Sequence, residues 1–262
     1  MRGFWIGVAV FVGACYLYFN YVAYPAIYFR YRLTVEVQTP DGIKAESVVN
    51  EDVFSFSWAN TFFNSGIGAG QNRGEALYMD LGGGKNLVVT NYADDQRPAT
   101  SVVINDGSVR RIETKDDDSK DSGVLGLYFC NLNGRNNGGY YDCHKSGWNV
   151  RSALADARKI GPFAVNIQHL PTLLTFADLA DYKSMLRVDP SHLDQVFGAG
   201  YAIKSVTVEI VDEPLTERIE GQLPWLGMFK NTGASFAGTQ SAGPKTSLLS
   251  HLGFGSFKLD GK

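Results

Sequence analysis

The residues with the most reactive side chains fall in one short stretch, where Cys130 and Cys143 bracket Asn-Leu-Asn-Gly-Arg-Asn-Asn-Gly-Gly-Tyr-Tyr-Asp and His144 follows at once. Two thiols joined by an Asn/Gly-rich loop can close on each other. A disulfide there would contribute roughly 3 kcal/mol in the chain-entropy picture and would belong to an oxidising compartment. The alternative leaves both thiols free. Cys130, Cys143 and His144 also offer three metal ligands, but structural zinc takes four, with paired ligands two to four residues apart. Cys143 with His169 would give a nucleophile and a base, although Cys130 competes for that thiol. The remaining histidines, His192 and His251, lie far along the chain.

Other chemistry is suggested by type but not by spacing. Asp116-Asp117-Asp118-Ser119-Lys120-Asp121 holds four carboxylates, yet Lys120 occupies one of the alternating positions a calcium loop needs and no glycine makes the turn. It reads as a solvated loop. Gly82-Gly83-Gly84-Lys85 has a Walker-like end, but Met79 stands where the first glycine belongs and Asn86 replaces the Ser/Thr that binds magnesium. It reads as a hairpin turn. Gly233-Ala234-Ser235-Phe236-Ala237-Gly238 is one residue too long for a nucleophile elbow. No catalytic, cofactor-binding or metal-binding residue is assigned.

Any such residue would be positioned by what surrounds it, beginning with the first thirty residues. Gly3 to Phe29 carries no charge, with Arg2 before it and Arg30 and Arg32 after. As a helix its twenty-seven residues would rise ~40 Å, whereas a bilayer core of ~30 Å needs about 20. Tyr16, Tyr18, Tyr21, Tyr24 and Tyr28 gather in its second half, as tyrosines do at a membrane interface. The leading expectation is an uncleaved transmembrane anchor. Val12-Gly13-Ala14-Cys15 offers a lipobox-like alternative, but the chain stays apolar after Cys15. A cleaved secretory signal would leave an aromatic-rich mature N-terminus. Flanking positive charge is nearly balanced, so orientation rests on the cysteines: a Cys130–Cys143 disulfide would put the domain outside the cytoplasm.

The rest has the composition of a soluble domain: net charge −3, pI near 5.8, 44% hydrophobic and 13% aromatic residues, with 29 glycines. No basic face is evident, which argues against a nucleic-acid partner. Strand signals begin at Tyr31–Val37, where apolar and polar residues alternate. Thr39-Pro40-Asp41-Gly42 turns the chain into a return strand over Ile43–Val49, and Val53–Trp58 is a further apolar run. Glu75–Leu81 with Leu87–Tyr92, and Thr100–Ile104 with Val109–Ile112, predict two more hairpins; Gly123–Phe129 predicts another strand. Trp148–Lys159 has helical composition, closed by Gly161-Pro162. Phe163–Phe176 reads as extended, His192–Phe197 as a short helix, Lys204–Val211 as an alternating strand, and Pro214–Gln222 as another short helix. Leu33-Thr34-Val35-Glu36-Val37 is echoed by Val206-Thr207-Val208-Glu209-Ile210, a likeness that alternating strands often have.

Two blocks are similar to a known group. Arg30-Tyr31-Arg32-Leu33-Thr34-Val35-Glu36-Val37-Gln38-Thr39-Pro40-Asp41-Gly42 is one. Arg187-Val188-Asp189-Pro190 through Phe197-Gly198, Thr207-Val208-Glu209-Ile210, Pro214-Leu215-Thr216 and Leu223-Pro224-Trp225-Leu226 form the other. On these the chain resembles a family of uncharacterised, N-terminally membrane-anchored proteobacterial proteins. The resemblance covers about a third of the chain and implies an anchored hairpin domain with no catalytic role to carry over.

The sequence therefore predicts an α+β, mainly β protein in three parts: a membrane anchor over 1–29, a β-rich globular domain with two or three short helices over 30–229, and a flexible Gly/Ser-rich tail over 230–262. The expected role is a tethered interaction or accessory module of the bacterial envelope. It would meet the bilayer through residues 3–29 and a protein partner through its domain, held at the inner membrane on the periplasmic side. Trp225, after Leu-Pro, is the aromatic expected to be exposed for partner contact. The competing expectation is an envelope hydrolase using Cys143, His144 or carboxylates, and a pocket of converging polar groups would distinguish it.

Overall fold

The structure, a computed structural model, describes residues 2–18, 26–56, 67–91, 101–105, 108–112, 147–165, 167, 170–230, 252 and 254–260. It is α+β and mainly β. The larger sheet is antiparallel, in the order β12-β3-β2-β1-β11-β8, from strands β1 (Ile27–Thr39), β2 (Gly42–Phe56), β3 (Ile67–Glu75), β8 (Phe163–Ala164), β11 (Ala202–Val211) and β12 (Lys258–Asp260). The smaller runs β10-β9-β5-β4, from β4 (Leu77–Gly82), β5 (Lys85–Val89), β9 (Leu173–Phe176) and β10 (Met185–Val188). β6 (Ser101–Asn105) and β7 (Ser108–Ile112) pair as a hairpin of their own.

Strict alternation places one face of β1 inside. Ile27, Phe29, Tyr31, Leu33, Val35 and Val37 are buried, while Arg30, Arg32, Thr34 and Glu36 between them are only partly covered. β11 lies beside it with Leu33 opposite Val208, Thr34 opposite Thr207 and Val35 opposite Val206. The echo between the two segments thus belongs to neighbouring strands that share one inner face. Pro40 sets the turn into β2, and Gly42 takes φ +119°, a region that a Cβ disfavours.

The inner face packs on β4, β5, β9 and β10 through Leu77, Met79, Leu81, Leu87, Val89, Leu173 and Val188. Helices α2 (Gly147–Ile160) and α3 (Leu193–Phe197) add Leu154, Ala157, Leu193 and Phe197. The opposite face of the smaller sheet builds a second core from Val88, Leu174, Phe176 and Met185. This core is covered by α4 (Ile219–Gln222), α5 (Leu226–Phe229) and α6 (Phe254–Phe257). The smaller sheet is therefore apolar on both sides, which explains why Leu87-Val88-Val89 and Leu173-Leu174 are continuous rather than alternating.

Several expectations are corrected here. Trp225 is 2% exposed. Phe176, Tyr182, Phe229 and Phe257 surround it with ring centroids 5.4–6.3 Å away, so it is a core residue and not a surface anchor. β1 begins at Ile27, within the segment assigned to the anchor. Ile27 and Phe29 belong to the inner face, and hydropathy alone does not separate them from an apolar helix. The expected tail returns at residues 252–260, where Leu252 and Phe257 complete the second core. The predicted helix over Pro214–Gln222 is helical only at Ile219–Gln222. Upstream, Thr216 instead bonds across to β2: its N–H donates to Val49 O (3.1 Å) and its Oγ1 accepts from Val49 N–H (2.8 Å).

Candidate functional site

Helix α1 (Arg2–Leu17) is uncharged from Gly3 onward. Its side chains stand open on every side, with Phe4, Trp5, Val10 and Phe11 each 67–71% exposed and Tyr16 62%. A helix apolar all round has no polar face to give to water. At ~1.5 Å per residue it is ~24 Å long, and among the described residues no helix is long and apolar enough to cross a membrane. Cys15 lies in this helix as a free thiol.

The outer face of the larger sheet has the opposite character. Arg30 pairs with Glu51 (3.5 Å) and its Nη1 donates to Glu213 O (3.0 Å). Arg32 bridges Glu209 (3.2 Å) and Glu213. Arg218 reaches Glu46 (2.8 Å), and Arg158 reaches Asp212 (2.6 Å). These pairs are solvated, each adding about 0–1 kcal/mol to stability. They do fix a surface in which the arginines are already engaged by carboxylates. That is a poor receptor for phosphate, in keeping with the absence of a basic face.

Two carboxylates lie inside. Asp52 faces inward on β2, in register with Phe29 on β1, at a bulge where Glu51 opposes Arg73 and Asp52 opposes Gln71. It is 2% exposed, and its Oδ1 meets no hydrogen-bond donor. Burial, helped by the neighbouring Glu51 charge, pushes its carboxyl up to about 7 from 3.8. Glu75 is as deeply buried but fully engaged. Its Oε1 and Oε2 accept from Arg218 N–H (2.9 and 2.8 Å), and Oε2 also accepts from Ile219 N–H (3.0 Å). It thus caps the start of α4 across the core, satisfying amides that a helix start leaves open. Asp52 can hold a proton near neutrality; Glu75 holds backbone.

Gly83 and Gly84 form the β4–β5 turn with φ +61° and +78°, the mirror-image geometry of a tight hairpin. Lys85 then points away from any phosphate cradle. Its Nζ donates to Phe197 O (2.7 Å) at the end of α3 and lies 4.4 Å from the centre of the Tyr201 ring. His192 is exposed, with Nδ1 3.2 Å from Asp189 Oδ2. Among the described residues no group of three His, Cys, Asp or Glu could hold a metal. Cys130, Cys143, His144, His169, His251, the acidic loop at 116–121 and the expected strand at Gly123–Phe129 lie outside the described residues. The candidate disulfide and the Cys/His site are among them.

Sequence reasoning missed Asn50, Asp52 and Asn86. The first two had a signal: in Val48-Val49-Asn50-Glu51-Asp52 the inward positions continue as Val48, Asn50, Asp52, putting polar groups on a buried face. No protein-family model matches this chain, and no curated protein or solved structure is detectably similar to it.

Proposed function

We propose that this chain is a β-rich interaction or accessory module tethered to a lipid bilayer by its N-terminal apolar segment. One observation carries the reading: α1 leaves Phe4, Trp5, Val10 and Phe11 about two-thirds exposed in a stretch with no charge after Arg2. Apolar surface of that kind is stabilised by transfer out of water. With α1 and the uncharged residues that follow it up to Phe29, the segment has the length to enter and cross the hydrocarbon layer. The sheet begins at Ile27, so the domain sits within a few residues of the lipid surface. On the Cys130/Cys143 disulfide reading, that surface is the outer one of a bacterial inner membrane. The paired charges on the outer sheet face suit contact with a hydrated protein partner.

Membrane fractionation of the full-length chain tests this. The native protein should stay with membranes through a high-pH wash. Val10→Arg combined with Phe11→Glu should release it with its circular dichroism unchanged. A native chain that washes off, or a charged double variant that stays, would overturn the reading. An impermeant thiol reagent applied to intact cells before and after reduction then reads orientation: labelling of Cys130 and Cys143 only after reduction places the domain outside.

A further inference from the structure

The segment 252–260 is a strap that reaches the body of the protein from the far side of residues 231–251. It makes three kinds of contact. Leu252 and Phe257 are sealed in the second core, Phe257 against Trp225 (5.4 Å between ring centres) and Phe176 (6.4 Å). Its backbone carbonyls satisfy the chain where it passes between sheets. Phe257 O accepts from Ala76 N–H (2.7 Å), Ser256 O from Asn91 N–H (2.8 Å), and Gly255 O from Asn91 Nδ2 (3.3 Å). β12 then adds an edge strand to β3, with Lys258, Leu259 and Asp260 opposite Glu75, Gly74 and Arg73, and Lys258 Nζ meets Glu220 Oε1 at 2.6 Å.

The body thus presents a groove with an apolar socket, backbone donors and an open strand edge, which accepts one extended segment of this composition. That is strand addition, in which main-chain bonds hold the segment and a side-chain socket selects it. The segment is joined by about twenty residues, which span up to ~70 Å when extended. The same strap can therefore reach the groove of an adjacent copy.

We propose that the strap is exchangeable, and that two copies held side by side by their N-terminal segments each dock it in the other's groove. The occupant is a second copy of this chain, because the matching segment is its own. Every docking contact is the same in the closed and exchanged forms, so exchange sacrifices none of them. What opposes it is the tether: a short linker gives the attached strap an effective concentration on the order of 1 mM. Exchange therefore needs copies at comparable local density, which confinement to a membrane supplies. To that extent the proposal rests on the tethered reading above.

The test uses two full-length chains. One carries a protease site between residues 231 and 250 and an epitope after Lys262; the other carries an N-terminal affinity tag. They are co-expressed, solubilised and cleaved, and the affinity-tagged chain is captured. The epitope should be captured from the co-expressed pair and not from chains expressed apart and mixed after solubilisation. Epitope recovered only on its own body, or on no body, would overturn the exchange. Repeating the assay with Val10→Arg/Phe11→Glu in both chains separates the two readings. Loss of exchange there supports membrane density as its cause. Undiminished exchange keeps the strap swap and removes the membrane from its explanation.

Discussion

The side-chain amide of Asn50 pairs with both backbone groups of Glu75. Its Nδ2 donates to Glu75 O (3.2 Å), and its Oδ1 accepts from Glu75 N–H (3.0 Å). Glu75 is the last residue of β3, and Leu77 already belongs to the other sheet. At this corner the ladder loses its partner strand, and an amide side chain takes the place of a peptide group. Asn86 does the same for Phe176, donating to its O (2.8 Å) and accepting from its N–H (2.9 Å), where the β5–β9 ladder stops. Asn50→Ala would leave two buried main-chain groups unsatisfied, at about 1–3 kcal/mol each. The denaturant midpoint should fall by that amount, whereas a change within about 0.5 kcal/mol, the range of ordinary surface substitutions, would show that water replaces the amide.

Gly74 is fixed by the same contact. A Cβ there would lie 2.3 Å from Asn50 Oδ1, and φ is +150°. Gly74→Ala should therefore destabilise on its own, and Asn50→Ala/Gly74→Ala by less than the two single effects added, since the first removes most of what the second meets. Strict additivity in a double-mutant cycle would separate the strain at Gly74 from Asn50.

The Asp52 carboxyl gives stability a pH dependence of unusual sign. Its folded value, about 7, lies above the model value of 3.8. Between those values the folded state holds a proton that the unfolded state releases. Stability therefore falls as pH rises through that window and levels off above about 7. The full change is on the order of a few kcal/mol at 1.36 kcal/mol per pH unit. Asp52→Asn keeps the neutral shape at every pH. It should match the native chain near the acid end of the window and exceed its stability above about pH 7, measured by urea unfolding at both ends. Equal differences at the two ends would place the effect elsewhere.

The strands with one wet face were legible because alternation is written residue by residue, as in Leu33 to Val37 and Val206 to Ile210. The Gly83-Gly84 turn was legible because two consecutive left-handed positions call for glycine. The smaller sheet was harder. Strands buried on both sides lose the period of two, so Leu173-Leu174 merged with everything from Phe163 into one extended stretch. Ile27 and Phe29 disappeared into the anchor for the same reason. Trp225 was misread because Leu-Pro marks a surface turn locally, while the strap that covers the ring comes from residue 252 onward. Glu75 capping Ile219 is also nonlocal. No window along the chain contains both ends of such contacts.

Trp225 separates a core role from a binding role in a single variant. It is the centre of a five-ring cluster with Phe176, Tyr182, Phe229 and Phe257. Trp225→Ala should cost about 3–5 kcal/mol of stability, as large-to-small changes in packed cores do. Its edge-on contact with Phe257 should add a coupling of about 0.5–1.5 kcal/mol in a cycle with Phe257→Ala. Because Phe257 arrives on the strap, that coupling should vanish when Leu252→Asp has already displaced the segment, and persist when the exposed Met228 is changed instead. A coupling unaffected by Leu252→Asp would mean that Phe257 holds its place without the rest of the strap. The socket would then be a local feature of the core and not the seat of a detachable segment.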